Sequence, residues 1–306
     1  RYTSDAFALT LQGLLYESAG DYNNAFIAYR NAVDLYLHNE GTYFGVPVPE
    51  QLEQDLLRTA EYLGFTNEVL RYQELLQTNY TGKMKAEGGE LILFWENGLV
   101  PYKGQTFFTF SVLPGREEGI VTVFNEELNL ALPLPISEGG DGGTAFSDIE
   151  VFNVAFPKYV ENVPFYDRCN IKMDSLEYRF ELTEDYGTIA FETLKDRTLR
   201  EIGKAALRLG AKKVTEYLAR NENSDIGALL GILNATTEKA DTRNWQTLPH
   251  RIYYARIPLK SGKNDIELEF RGKEGAYSLR HLSIIGKGNL QFHTMATLNC
   301  LGRTSL

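Results

Sequence analysis

Chemistry needs titratable, nucleophilic or metal-binding side chains at set spacings, and this chain offers few. Its four histidines are His38, His250, His281 and His293. None stands in HExxH or a comparable ligand spacing. His281 and His293 are placed to meet across neighbouring strands, the nearest approach to a metal pair. Cys169 and Cys300 lack CxxC spacing and read as buried thiols, not as a disulfide framework or zinc site. No GxSxG elbow, Walker A loop or dinucleotide fingerprint occurs, and Ser261-Gly262-Lys263 lacks the preceding glycine frame. No nucleophile stands with an oriented base. The expectation is a chain without catalytic residues, cofactor or metal.

Recognition chemistry is better represented. The stretch ADTRNWQTLPH holds Arg243, Trp245 and His250 close together. Trp and Arg are favoured at interaction hot spots, so these three form one candidate partner-binding site. The structural alternative is an Asp241–Arg243 pair with Trp245 anchoring the loop. The glycine-rich, acidic loop 137–144 lacks the ligand count calcium needs and reads as a surface loop. Residues 197–213 carry Arg197, Arg200, Lys204, Arg208, Lys212 and Lys213 on one helical side. They make either a solvated face or a contact for an anionic partner or membrane surface.

The elements that position these residues follow from periodicity. In residues 6–39, Leu9, Gly13 and Tyr16 share a helical face, and Gly13 and Ala25 are small where two helices must come close. Gly20 suits a left-handed C-cap and Asp21 can cap the next helix. Gly13, Tyr16, Gly20, Tyr22, Ala25, Tyr29 and Ala32 stand at the offsets of one tetratricopeptide (TPR) repeat. Leu37 occupies the position where that pattern has proline, so the second helix is expected to run on. Phe7, Thr10, Leu14 and Glu17 fall on the inner face of the first helix. Of these, Phe7, Leu14 and Glu17 form a second candidate partner-binding surface; the alternative is that Phe7, Leu14 and Tyr36 pack against the β domain. The carboxylate-clamp lysine and asparagine are absent. Residues 51–77 read as two more helices broken at Gly64, after a proline-punctuated connection.

From about residue 84 the texture becomes short apolar runs bounded by Gly, Pro and Asn, the signature of strands. A turn is expected at Asn97-Gly98. Leu176, Tyr178, Phe180 and Leu182 alternate as one strand face. HRIYYARIPL with DIELEFRGK, and the two runs around Gly286–Asn289, read as hairpins. A helical hairpin is expected at about 190–240, its second helix starting near Ser224 or Asp225. Gly203, Gly210, Gly227 and Gly231 offer small surfaces where its helices meet. The expected fold is α+β, with N-terminal TPR-like helical hairpins at 1–82 packed on a mainly antiparallel, sandwich-like β domain at 84–306 that carries the helical insertion.

The formal charge is 31 − 41 = −10, and the pI is 5.1. A chain this acidic is a poor general nucleic-acid binder. No apolar run reaches the ~20 residues of a membrane-spanning helix. Tyr43-Phe44-Gly45-Val46-Pro47-Val48-Pro49 leading into LLRTAEYLGF, and ADTRNWQTLPHRIYYARIPLKSG, together with the TPR unit, resemble a family of uncharacterised bacterial cell-envelope lipoproteins. That resemblance implies export and a lipid anchor on a cysteine upstream of Arg1, facing the periplasm or the cell surface. It brings no ligand or catalytic residue. The leading expectation is a non-enzymatic envelope scaffold or adaptor binding a protein or envelope partner. An enzyme acting on cell-wall or glycan material, and a ligand-sensing module at the helix–sheet junction, are the alternatives.

Overall fold

The computed structural model describes residues 4–80, 82, 86–114, 120–135, 150–222 and 240–301. The fold is α+β, with mainly antiparallel strands. The chain forms two compact units: Arg1–Pro101 with Glu161–Ala190 and Trp245–Leu306, and Tyr102–Val160 with Phe191–Asn244. The texture change near residue 83 does not coincide with this division, because the first strand after it packs on the helices before it.

The first unit begins with α1 (Ala6–Ser18), whose first turn is capped by Asp5 accepting from Ala8 N at 2.7 Å. Gly20, at φ +79°, turns the chain, and Asp21 N closes back on Tyr16 O at 2.9 Å. Asp21 then caps α2 (Tyr22–Leu37) by accepting from Asn24 N. This helix stops at Leu37 and does not run on. Glu40 and Gly41 adopt positive φ, and Gly41 N donates to Tyr36 O, so a glycine cap does the work of the missing proline. The connection folds into a tight ribbon of β1 (Thr42–Tyr43) and β2 (Val46–Pro47) across Phe44-Gly45, both at positive φ. Next come α3 (Glu50–Tyr62) and α4 (Thr66–Leu76), separated at Gly64 as its glycine predicts.

The strands of this unit are β3 (Gly89–Leu99), β8 (Tyr166–Met173), β9 (Leu176–Arg179), β10 (Glu181–Asp185), β11 (Pro249–Pro258), β12 (Gly262–Gly272), β13 (Tyr277–Gly286) and β14 (Asn289–Thr297). They form two sheets, ordered β10-β11-β3-β14 and β13-β12-β8-β9. β3 continues through Asn97-Gly98, so the turn expected there is absent. Neither expected hairpin forms. β11 and β12 lie in different sheets, as do β13 and β14, and β14 pairs with β3 in parallel. The short loops therefore carry the chain from sheet to sheet. Phe180 likewise separates β9 from β10, cutting the alternating run into two sheets.

Two apolar layers explain these crossings. Leu91, Leu93, Trp95, Ala255 and Ile257 face Ile171, Met173, Ile266, Leu268 and Phe270 in a core shared by the two sheets. On the other face of β3 and β11, Ile92, Phe94, Ile252 and Tyr254 pack with Leu14, Phe26, Tyr29, Tyr36, Leu52 and Leu56 of the helices. β3 and β11 are thus buried on both sides, which accounts for their continuous apolar texture.

The second unit contains β4 (Tyr102–Pro114), β5 (Ile120–Asn125), β6 (Leu130–Pro135) and β7 (Glu150–Val160) in the order β6-β5-β4-β7. Residues from Phe191 onward of α5 (Tyr186–Glu222) belong to it. Ile202, Ala206 and Val214 cover Phe110, Val112, Val121, Val123, Phe152 and Val154. Gly210 meets Val123, a strand residue. The Ser224/Asp225 helix, Gly227, Gly231 and the loop 137–144 lie outside the described residues.

Two glycines give opposite tests. A Cβ at Gly13 would overlap the buried Tyr29 ring, whereas at Gly203 the nearest atom among the described residues is Leu132 Cδ1 at 4.0 Å. Overpacking costs about 1–3 kcal/mol, against about 1 kcal/mol gained in helix propensity. Calorimetry should show Gly13→Ala lowering the melting temperature and Gly203→Ala raising it.

Candidate functional site

Charged side chains converge where helices meet sheet in the first unit. Arg256 leaves β11 on the helical side, and its side chain is 4% exposed. Its Nη2 donates to Glu17 Oε2 at 2.8 Å and its Nη1 to Glu90 Oε2 at 2.6 Å, while Nε lies 3.0 Å from Asp55 Oδ1. Arg58, one turn along α3 from Asp55, approaches the same two acids: Nη1 reaches Glu17 Oε1 at 2.5 Å and Nη2 reaches Asp55 Oδ1 at 3.0 Å. Tyr29 Oη donates to Glu17 Oε2 at 2.9 Å, and Gln51 Nε2 to Asp55 Oδ1 at 2.8 Å.

The electrostatics follow from burial and pairing. Burial pushes the Glu17 carboxyl up, but the guanidinium groups of Arg256 and Arg58 overcome it and bring it down to about 2. Asp55 is shifted upward: burial outweighs the same two arginines, and its Oδ2 has no hydrogen-bond partner. A buried carboxylate already bridged by two arginines and a tyrosine has no lone pair in reach of a substrate. The cluster clamps α1, α2 and α3 to β3 and β11.

A second polar cluster gathers near the start of α5. The β10–β11 register slips between Leu182 and Glu184, a bulge that re-aims the following side chains. Asp185 accepts from Thr188 N at 2.9 Å, capping the helix, and from Arg251 Nε at 2.8 Å. His250 is buried, with Nε2 at 2.5 Å from Glu161 Oε1 and Nδ1 at 3.7 Å from Asp185 Oδ1. Gly187 lies so close that a Cβ would enter the imidazole. Glu184 is 1% exposed and its Oε2 is unpartnered among the described residues. Burial, then the nearby Asp5 charge, push its carboxyl up to about 8.

The residues expected to bind a partner are dispersed. Leu14 is fully buried and Glu17 is 8% exposed, so neither presents an open surface. Phe7 packs edge-on against Phe94 of β3 with centroids 6.0 Å apart. Packing against the strands, the alternative for Phe7, Leu14 and Tyr36, describes their positions. Arg243 pairs with Asp241 at 2.9 Å, and both side chains are largely exposed. Trp245 is 72% exposed, with Nε1 donating to Thr247 Oγ1, so it does not anchor its loop in a core. His250 is inside, held by Glu161, and is not a surface contact. His281 and His293 lie on β13 and β14, which do not pair. Among the described residues no group of three or more His, Cys, Asp and Glu is arranged to hold a metal. Cys169 is buried as expected; Cys300 is half-buried and accepts from Leu99 N at 3.3 Å.

Asp55, Arg58 and Arg256 are not marked by any motif. The available signal is charge inside apolar runs: Asp55 borders the Leu52, Leu56, Ala60 face, Arg58 follows Leu56-Leu57, and Arg256 sits within IYYARIPL.

The two clusters give two stability tests. Arg256→Ala leaves Glu17 and Asp55 buried without their main counter-charge and should cost about 3–5 kcal/mol in chemical denaturation. For Glu184, the unfolded carboxyl titrates near 4.5 and the folded one near 8. Below 4.5 it is neutral in both states, so its contribution is intact there. Between 4.5 and about 8 the unfolded chain ionises first and stability falls with rising pH; above 8 the loss is complete. Glu184→Gln should therefore melt close to wild type at about pH 5 and several degrees higher at about pH 9.

No protein-family model matches this chain, and no match was found among curated proteins or solved structures.

Proposed function

We propose that this chain is a non-enzymatic scaffold or adaptor of the bacterial cell envelope, binding a protein partner. In this reading the helices are TPR-like hairpins and the two sheets of the first unit form a sandwich-like support. The observation that carries the proposal is where apolar side chains remain outside. Tyr29, Leu14 and the charged cluster use up the inner helical face, but α4 keeps Leu70 62% exposed and Leu75 49% exposed. Tyr72 is the buried residue of that helix, so the two leucines point away from the core. A helical repeat array that ends in solution carries a polar outer face on its last helix. Here two leucines stay exposed among Asn67, Arg71 and Glu74, near the 68% exposed Tyr62 and Phe65, as apolar anchors for a partner. The TPR-like unit then contributes its end, not its concave side.

Capture from cell-envelope extract tests this directly. Leu70→Glu with Leu75→Glu should abolish partner capture while the melting temperature stays within about 2 °C of wild type, as surface substitutions do. Capture of the same partners by the double variant would remove α4 from the interface.

A further inference from the structure

The solvent side of α5 differs in charge from the rest of the chain. The whole chain sums to −10, yet α5 holds eight Lys and Arg against five Asp and Glu, a balance of 8 − 5 = +3, which leaves −13 for the rest. The cations are ordered. Arg197, Arg200, Lys204, Arg208 and Lys212 follow steps of three, four, four and four residues, and all five are exposed. Such steps recur on one helical face, here opposite the buried Ile202, Ala206 and Val214. At 1.5 Å per residue the row is about 22 Å long, with charges roughly 6 Å apart.

We propose that this row docks a linear phosphate polymer, a polyphosphate chain without bases. Three features select that occupant. Three of the five cations are arginines, whose planar fork matches phosphate oxygens two at a time. The cations form a single line on one helical face, which a polymer strand can follow along its length. No aromatic side chain interrupts it: Glu201, Ala211 and Thr215 share the exposed side, so bases find nothing to stack on. Binding therefore rests on phosphate contacts and weakens steeply with salt.

The test is fluorescence anisotropy with labelled inorganic polyphosphate, titrated at several salt concentrations, with oligo-dT and anionic-lipid vesicles as competitors. Wild type should bind, with polyphosphate outcompeting both. The triple variant R197Q/R200Q/K204Q should bind at least tenfold more weakly, and its log affinity should depend on log salt with a slope smaller by about 2, at roughly 0.7 per phosphate contact. A control triple at exposed lysines elsewhere, K263Q/K273Q/K287Q, should bind as wild type does. Circular dichroism of both triples checks that the helix is retained. Unchanged binding by the α5 triple, equal loss in the control, or preference for vesicles or oligo-dT would each overturn the proposal. None of these results bears on the leucines of α4, so the two surfaces stand or fall separately.

Discussion

A single guanidinium organises the first unit. Arg256 stands on a strand buried on both faces, where an unpaired charge would not survive. Its partners come from three other elements: Glu17 on α1, Asp55 on α3 and Glu90 on β3. Burial alone would push the Glu17 carboxyl up; Arg256 and Arg58 beside it bring it down. A hydrophobic helix face can slide on a hydrophobic sheet at little cost, whereas this arrangement is satisfied in one register. We therefore take the network as a device of orientation more than of net stability, since buried ion pairs repay their desolvation only when the geometry is complete.

That same network decides what the helices can do. The inner face of α1, the side on which a repeat array would hold a ligand, is filled by Tyr29, Leu14 and the charged cluster. The polar residues that resemble catalytic groups are likewise engaged: His250 with Glu161, Asp185 with Arg251 and the α5 backbone. The two surfaces proposed for recognition lie outside, at the leucines of α4 and the cationic row of α5.

Local features are legible in the sequence and long-range ones are not. Asp21, Gly20 and Gly64 act within a turn of their own positions, so the helix boundaries they mark can be read directly. The stop at Leu37 is hidden because Gly41, not a proline, provides the cap. The hairpins fail for a different reason. A turn such as Ser261-Gly262 fits equally well between strands of one sheet and between stacked sheets, and only the shared core of Ala255, Ile257, Ile266 and Leu268 decides. The charged site is the hardest to read. Spacing alone puts Glu17 on the inner face, but its partners lie 41 and 239 residues away, at Arg58 and Arg256. Spacing along the chain carries no record of such a meeting. Its one trace is the out-of-place charges in apolar runs.

The most direct measurement is the coupling between Glu17 and Arg256 in a double-mutant cycle of Glu17→Gln and Arg256→Gln, read by chemical denaturation. If this pair fixes helices to sheet, the two losses should fall short of additivity by about 2 kcal/mol or more. Losses that simply add, within about 0.5 kcal/mol, would show that the helices dock by apolar contact alone and would contradict the central role given to Arg256.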